Sequence, residues 1–159
     1  MDARRYDDAR ALTAGLKLRP LDDFVEWSEL QDGRVSANYQ RLYGFAAAHP
    51  EWPRVSRIMA RAETVLPAGW TPAQVIDWFG DAAPRTAEGA IRLIDALRAT
   101  GRDTQARKIA VGVWDSMVMN ERQQSALLLS AAGLLSEADH RRRLDIMLWR
   151  GQDGAARMA

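Results

Sequence analysis

The stretch Gly101-Arg102-Asp103-Thr104-Gln105-Ala106-Arg107-Lys108-Ile109-Ala110-Val111-Gly112-Val113-Trp114-Asp115-Ser116-Met117 holds the clue to the fold in its spacing. Ala106, Ile109, Ala110, Val113, Trp114 and Met117 return every three or four positions, the period at which side chains line one face of an α-helix. Gly101 reads as the stop of a preceding helix, and Asp103 as the N-cap whose carboxylate satisfies backbone N–H groups that the first turn leaves bare. Upstream, Val55, Ile58, Met59, Ala62 and Leu66 repeat the pattern, as do Ala90, Leu93, Ile94 and Leu97. No run alternates strictly between apolar and polar residues, and the cluster Leu127, Leu128 and Leu129 sits inside a longer helical pattern, so a sheet is not expected.

Composition points the same way. The 159 residues include 27 Ala, and 20 of the 22 basic residues are Arg, a mixture rich in helix formers. Start signals cut this material into short pieces. Pro53 suits a first helical turn, where its missing N–H costs nothing. Thr71, Pro72 and Gln74 have the form of a capping box. Thr86, Asn120 and Ser136 read as further N-caps, while Gly133 and Gly151 read as stops. The longest breaks fall around Arg34, over Ala68 to Trp70 and over Asp81 to Arg85. The expectation is an all-α fold, an α-solenoid or superhelix of about nine or ten short helices stacked as antiparallel hairpins. Residues 1–159 form one such region. Gly101-x-Asp103-x-x-Ala106-Arg107 returns fifty positions later as Gly151-x-Asp153-x-x-Ala156-Arg157, which suggests stacked helical repeats. The second copy breaks off at Ala159 before two turns are complete, and the reading expects a fragment of a longer solenoid.

Several classes of function lose support here. Basic and acidic residues number 22 and 21, a balance that argues against a nucleic-acid binder or an acidic-membrane binder. There is no Cys, hence no disulfide framework, thiolate metal site or cysteine nucleophile. No apolar run approaches the length of a membrane span, and the charged start, Met1 to Asp8, carries no signal peptide. No phosphate-cradling glycine loop, nucleophile elbow or His-Glu-x-x-His spacing occurs. No catalytic, cofactor-binding or metal-binding residue and no cofactor is assigned.

Four features bear on chemistry. His49, before Pro50, reads as a helix-end residue. His140, in Asp139-His140-Arg141-Arg142-Arg143, reads as part of a solvated, ion-paired face, with anion binding as the alternative. Glu63 follows an apolar helix face closely and reads as a structural ion-pair partner before a catalytic acid. The six Trp, at 27, 52, 70, 78, 114 and 149, are dispersed along the chain as packing residues are, although stacked sugars use such rings too. Trp114 and Trp149 are expected to be buried between helices.

Together these residues resemble a known family. Phe45-x-x-x-His49-Pro50-Glu51-Trp52-Pro53, then Ile58, Arg61-Ala62-Glu63, Trp78-Phe79, Pro84, Thr86 and Gly89, are similar to the superhelical region of bacterial soluble lytic murein transglycosylases. A second block agrees: Gly101-Arg102, Ala106 and Trp114, then Leu135, Asp139-His140, Arg143-Leu144-Asp145 and Leu148-Trp149. The resemblance runs from about Leu21 onward. It implies a periplasmic protein in which a horseshoe or ring of helices accompanies a separate lysozyme-like domain. There a single Glu cleaves the MurNAc–GlcNAc bond of peptidoglycan to give a 1,6-anhydro product. No Glu-Ser catalytic motif of that domain is present here, so no catalytic residue is carried over. What the resemblance implies for this chain is a non-catalytic scaffold whose partners are glycan strands or the catalytic domain of the parent protein. A stand-alone helical-repeat adaptor for a protein partner and an independent glycan-binding module are the competing expectations.

Overall fold

In the computed structural model, which describes residues 3–16 and 18–149, every regular element is a helix: nine α-helices and, among the described residues, no strand. Backbone contacts divide the chain into two compact units, Met1–Val65 and Leu66–Ala159.

The first unit holds α1 (Ala3–Leu16), α2 (Arg19–Gln31), α3 (Tyr39–Ala48) and α4 (Val55–Thr64). Pro20 sits in the first turn of α2, where no intrahelical N–H is required. Asn38 caps α3, its side chain accepting the Arg41 backbone N–H at 2.9 Å. Helix α2 packs on α1 and α4, and α3 on α4. Their apolar faces meet in Leu30, Leu42, Phe45, Ala46, Ile58 and Ala62. Pro53 departs from expectation by lying in the turn ahead of α4. Its carbonyl accepts from Trp27 Nε1 at 2.8 Å and from Gln31 Nε2 at 3.2 Å, which ties the turn back to α2. Arg54 then turns the chain in the left-handed region at φ 57° before the helix begins.

The second unit holds α5 (Pro72–Phe79), α6 (Ala87–Ala99), α7 (Asp103–Ser116), α8 (Glu121–Ser130) and α9 (Glu137–Trp149). Thr71 and Gln74 form the expected capping box, and Asn120 forms a second one with Gln123. Thr86 caps α6 through the Gly89 N–H at 3.0 Å, and Ser136 exchanges hydrogen bonds with Asp139 at the head of α9. Gly101 and Gly133 end their helices at φ 71° and 77°, conformations that suit glycine. Asp103 is one place off its expected role. Arg102 occupies the cap position while its N–H closes α6 on the Leu97 carbonyl at 2.8 Å, so α7 starts at once and Asp103 faces the helix dipole from within the first turn.

Helix α6 packs on both α5 and α7, and two pairs of second neighbours are also in contact, α6 with α8 and α7 with α9. This alternation is the pattern of helices stacked in two layers. Six alanines, Ala87, Ala90, Ala96, Ala106, Ala110 and Ala131, lie in the core and let the backbones approach closely. Helix α9 begins and ends fifty positions after α6 and has the same length of 13 residues, so the spacing of the sequence echo covers three helices and not one hairpin. The second copy of the echo, Gly151 to Arg157, lies outside the described residues.

Trp114 is fully buried, as expected, but Trp149 is 92% exposed. The inward face of α9 carries Asp139, Arg143 and Met147 at intervals of four. Trp149, two positions beyond Met147, is rotated through more than half a turn to the outside together with Leu148. Trp114→Ala should therefore cost about 3 to 5 kcal/mol of stability. Trp149→Ala should stay within about 0.5 kcal/mol of wild type, as is usual at exposed positions. Urea unfolding of the two variants, followed by circular dichroism, checks both values.

Candidate functional site

In the first unit the polar side chains converge on α2. Glu26 and Glu29 of α2 face Arg10 of α1 and Arg41 of α3. Arg41 grips Glu26 with two bonds of 2.7 Å and meets Glu29 as well, a forked geometry that only a guanidinium offers. Burial works to raise the Glu26 carboxyl, but the hydrogen bonds and charges of Arg41 and Arg10 outweigh it and hold its pKa below the ordinary value. Behind this cluster, Arg61 of α4 donates to the carbonyls of Leu30, Asp32 and Val35, closing the C-terminal end of α2 and the loop after it. Tyr6 reaches the Ser28 carbonyl at 3.3 Å and Asp32 at 3.4 Å.

The aromatic residues of the same unit gather at the turn after α3. His49 is the C-cap of α3, its N–H bonded to the Phe45 carbonyl, and its ring lies 4.6 Å from Phe45 and 5.4 Å from Trp52. Trp52 also meets Trp27 at 6.0 Å and the Phe45 ring edge-on at 5.6 Å. His49-Pro50-Glu51-Trp52-Pro53 is therefore a packed turn. Glu63 is buried on the inner side of α4.

In the second unit the centre is Arg143. It is fully buried, with its guanidinium carbon 4.2 Å above the Trp114 ring centroid. It donates to the Trp114 carbonyl and, at 3.1 Å, to Gln124 of α8, so one side chain joins α7, α8 and α9. His140 packs edge-on against Trp114, with the ring centroids 5.3 Å apart. The basic run thus divides by helical phase. Arg141 and Arg142 form the expected ion-paired face, with Glu137 and with Asp115 and Asp139, whereas Arg143 turns inward. Asp139 accepts from the Ser136 hydroxyl at 2.6 Å and its N–H at 2.8 Å, from Arg142 at 2.7 Å and from Arg107 at 3.0 Å. Those bonds, led by Ser136, hold its carboxyl well below the usual carboxylate range.

One open cleft stands out in this unit. It has a volume of about 620 Å³ and lies among the end of α5, α6 and the start of α7. Ile76, Leu93, Leu97 and Ile109 give it an apolar floor; Asp77 and Asp81 stand on the α5 wall, Arg102, Gln105 and Lys108 on the α7 wall. Helical spacing marked Leu93, Leu97 and Ile109 only as parts of apolar helix faces, and nothing in it joined them to Asp77, Asp81, Arg102, Gln105 or Lys108, because the lining comes from three separate elements that only folding brings together. Among the described residues no group of His, Asp or Glu has the arrangement of a metal site, and no helix is long and apolar enough to cross a membrane.

Comparison with protein-family models, with curated proteins and with solved structures finds no match to this chain. The residues of its site stand on geometry alone.

Asp139 supplies a test of the α9 junction. Because its folded pKa lies below the unfolded value of about 3.9, its contribution to stability is complete above that pH and is lost as pH falls through the folded pKa. Asp139→Asn should lower the urea midpoint at about pH 7, and the gap to wild type should narrow steadily below about pH 4. A gap that stays constant down to about pH 2 would contradict the assignment.

Proposed function

We propose that the chain is a non-catalytic helical scaffold, a portion of the superhelical region of a periplasmic peptidoglycan lytic transglycosylase. The family reaction is non-hydrolytic cleavage of the MurNAc–GlcNAc bond with formation of 1,6-anhydroMurNAc. The scaffold's part is to shape or position the enzyme on glycan strands.

One observation supports this reading above others. Many of the residues that carry the family resemblance fasten helices together. Phe45, His49 and Trp52 build the turn between α3 and α4, Arg61 closes the end of α2, and Trp114, Asp139, His140 and Arg143 join α7 to α9. A motif kept for helix packing belongs to a framework, and two-layer stacking is the packing a superhelix requires. A stand-alone adaptor for a protein partner is the second reading, favoured by the exposed Leu144, Leu148 and Trp149 on the outer face of α9.

Incubation with purified peptidoglycan should yield no anhydro-muropeptides from this chain alone. In cell extracts fractionated with an antibody to the chain, a band well above 17.8 kDa is expected in the periplasm. A cytoplasmic band near 17.8 kDa would reject the scaffold reading in favour of the adaptor.

A further inference from the structure

We propose that the cleft among α5, α6 and α7 binds a short zwitterionic peptide, one with a free ammonium group, a free carboxylate and an apolar side chain between them. The proposal is independent of the scaffold reading. Several arginines of this unit are engaged with protein partners: Arg98 with the Ser130 carbonyl, Arg107 with Leu134 and Asp139, Arg142 with Asp115 and Asp139. The side chains of Asp77, Asp81, Arg102 and Lys108, by contrast, make no hydrogen bond or ion pair with another described residue. All four line the same cleft, acids on the α5 wall and bases on the α7 wall, with Leu93 and Leu97 of α6 supplying apolar surface between.

The backbone beneath two of these charges is fixed. Asp81 follows Gly80, which at φ 52° closes α5 with its N–H on the Ile76 carbonyl at 2.9 Å. Arg102 follows Gly101, which at φ 71° closes α6 with its N–H on the Arg98 carbonyl at 3.0 Å. Each charge therefore leaves a hydrogen-bonded glycine turn, and less ordering remains to be done when a ligand arrives.

Chemistry narrows the ligand. Two acids against two bases suit a molecule that carries both signs, whereas a phosphate or nucleotide would meet repulsion from Asp77 and Asp81. No aromatic ring lines the cleft, so a glycan would find no stacking platform there. The apolar floor matches one aliphatic side chain, and the volume lies in the usual range for small-ligand sites.

The test is an amide NMR titration of the whole chain with the tripeptide Ala-Leu-Ala bearing free ends. Saturable shifts are expected at the amides of Gly80, Asp81, Arg102 and Gln105. The same tripeptide acetylated at its N-terminus and amidated at its C-terminus should bind at least about tenfold more weakly, the scale of losing charged hydrogen bonds. Asp81→Asn and Lys108→Gln, both at exposed positions, should each weaken binding of the free peptide by about tenfold while leaving the remaining spectrum unchanged. Absence of saturable shifts, equal binding of the blocked peptide, or equal shifts from inorganic phosphate would overturn the proposal.

Discussion

A helix ends in carbonyl groups that no later N–H can reach, and in this chain arginines reach them from neighbouring helices. Arg61 closes the end of α2, Arg98 the end of α8, and Arg107 the turn after α8. Arg143 does the same for the last turns of α7 while lying on the Trp114 ring. Short helices depend on such ties more than long ones do, because the end groups make up a larger share of their backbone. The task needs a planar fork of donors that can serve two or three acceptors at once, which an ammonium group does poorly. Among the described residues, Arg61, Arg92, Arg98, Arg107 and Arg143 serve carbonyls in this way.

Much of this architecture was legible before any coordinates. Helical spacing located α4, α6 and α7, and Thr71, Thr86, Asn120 and Ser136 announced the helices they cap. These are local signals, read by a few consecutive residues from one another. What escaped was the phase of a helix with a weak apolar stripe. Asp139, Arg143 and Met147 form the buried edge of α9, and two charged residues out of three disguise it as a solvent face. From the same cause Trp149 was placed on the wrong side. Pro53 was misplaced because its surroundings are set by Trp27 and Gln31, more than twenty positions away in the chain. The cleft was invisible for a similar reason, as its two walls and floor come from three elements.

The division of polar residues is also a division of labour. In the first unit, paired carboxylates and guanidinium groups hold α1, α2 and α3 around Glu26 and Glu29. In the second, the ties run mainly from arginine to backbone carbonyl, with Asp139 as the carboxylate where Arg107 and Arg142 meet. Asp77, Asp81, Arg102 and Lys108 stand outside this economy of contacts. Gly80 and Gly101 close the helix ends beside Asp81 and Arg102, while Asp77 and Lys108 lie within α5 and α7.

A guanidinium bound to a carbonyl reads the main chain and ignores the side chain attached to it. Val35 and Ser130 could each become a different residue, and the arginine that faces them would find the same oxygen in the same place. Ties of that kind set few conditions on the letters at the positions they hold. A lineage built this way is open to drift: its sequences can part company quickly while its helices stay where they are.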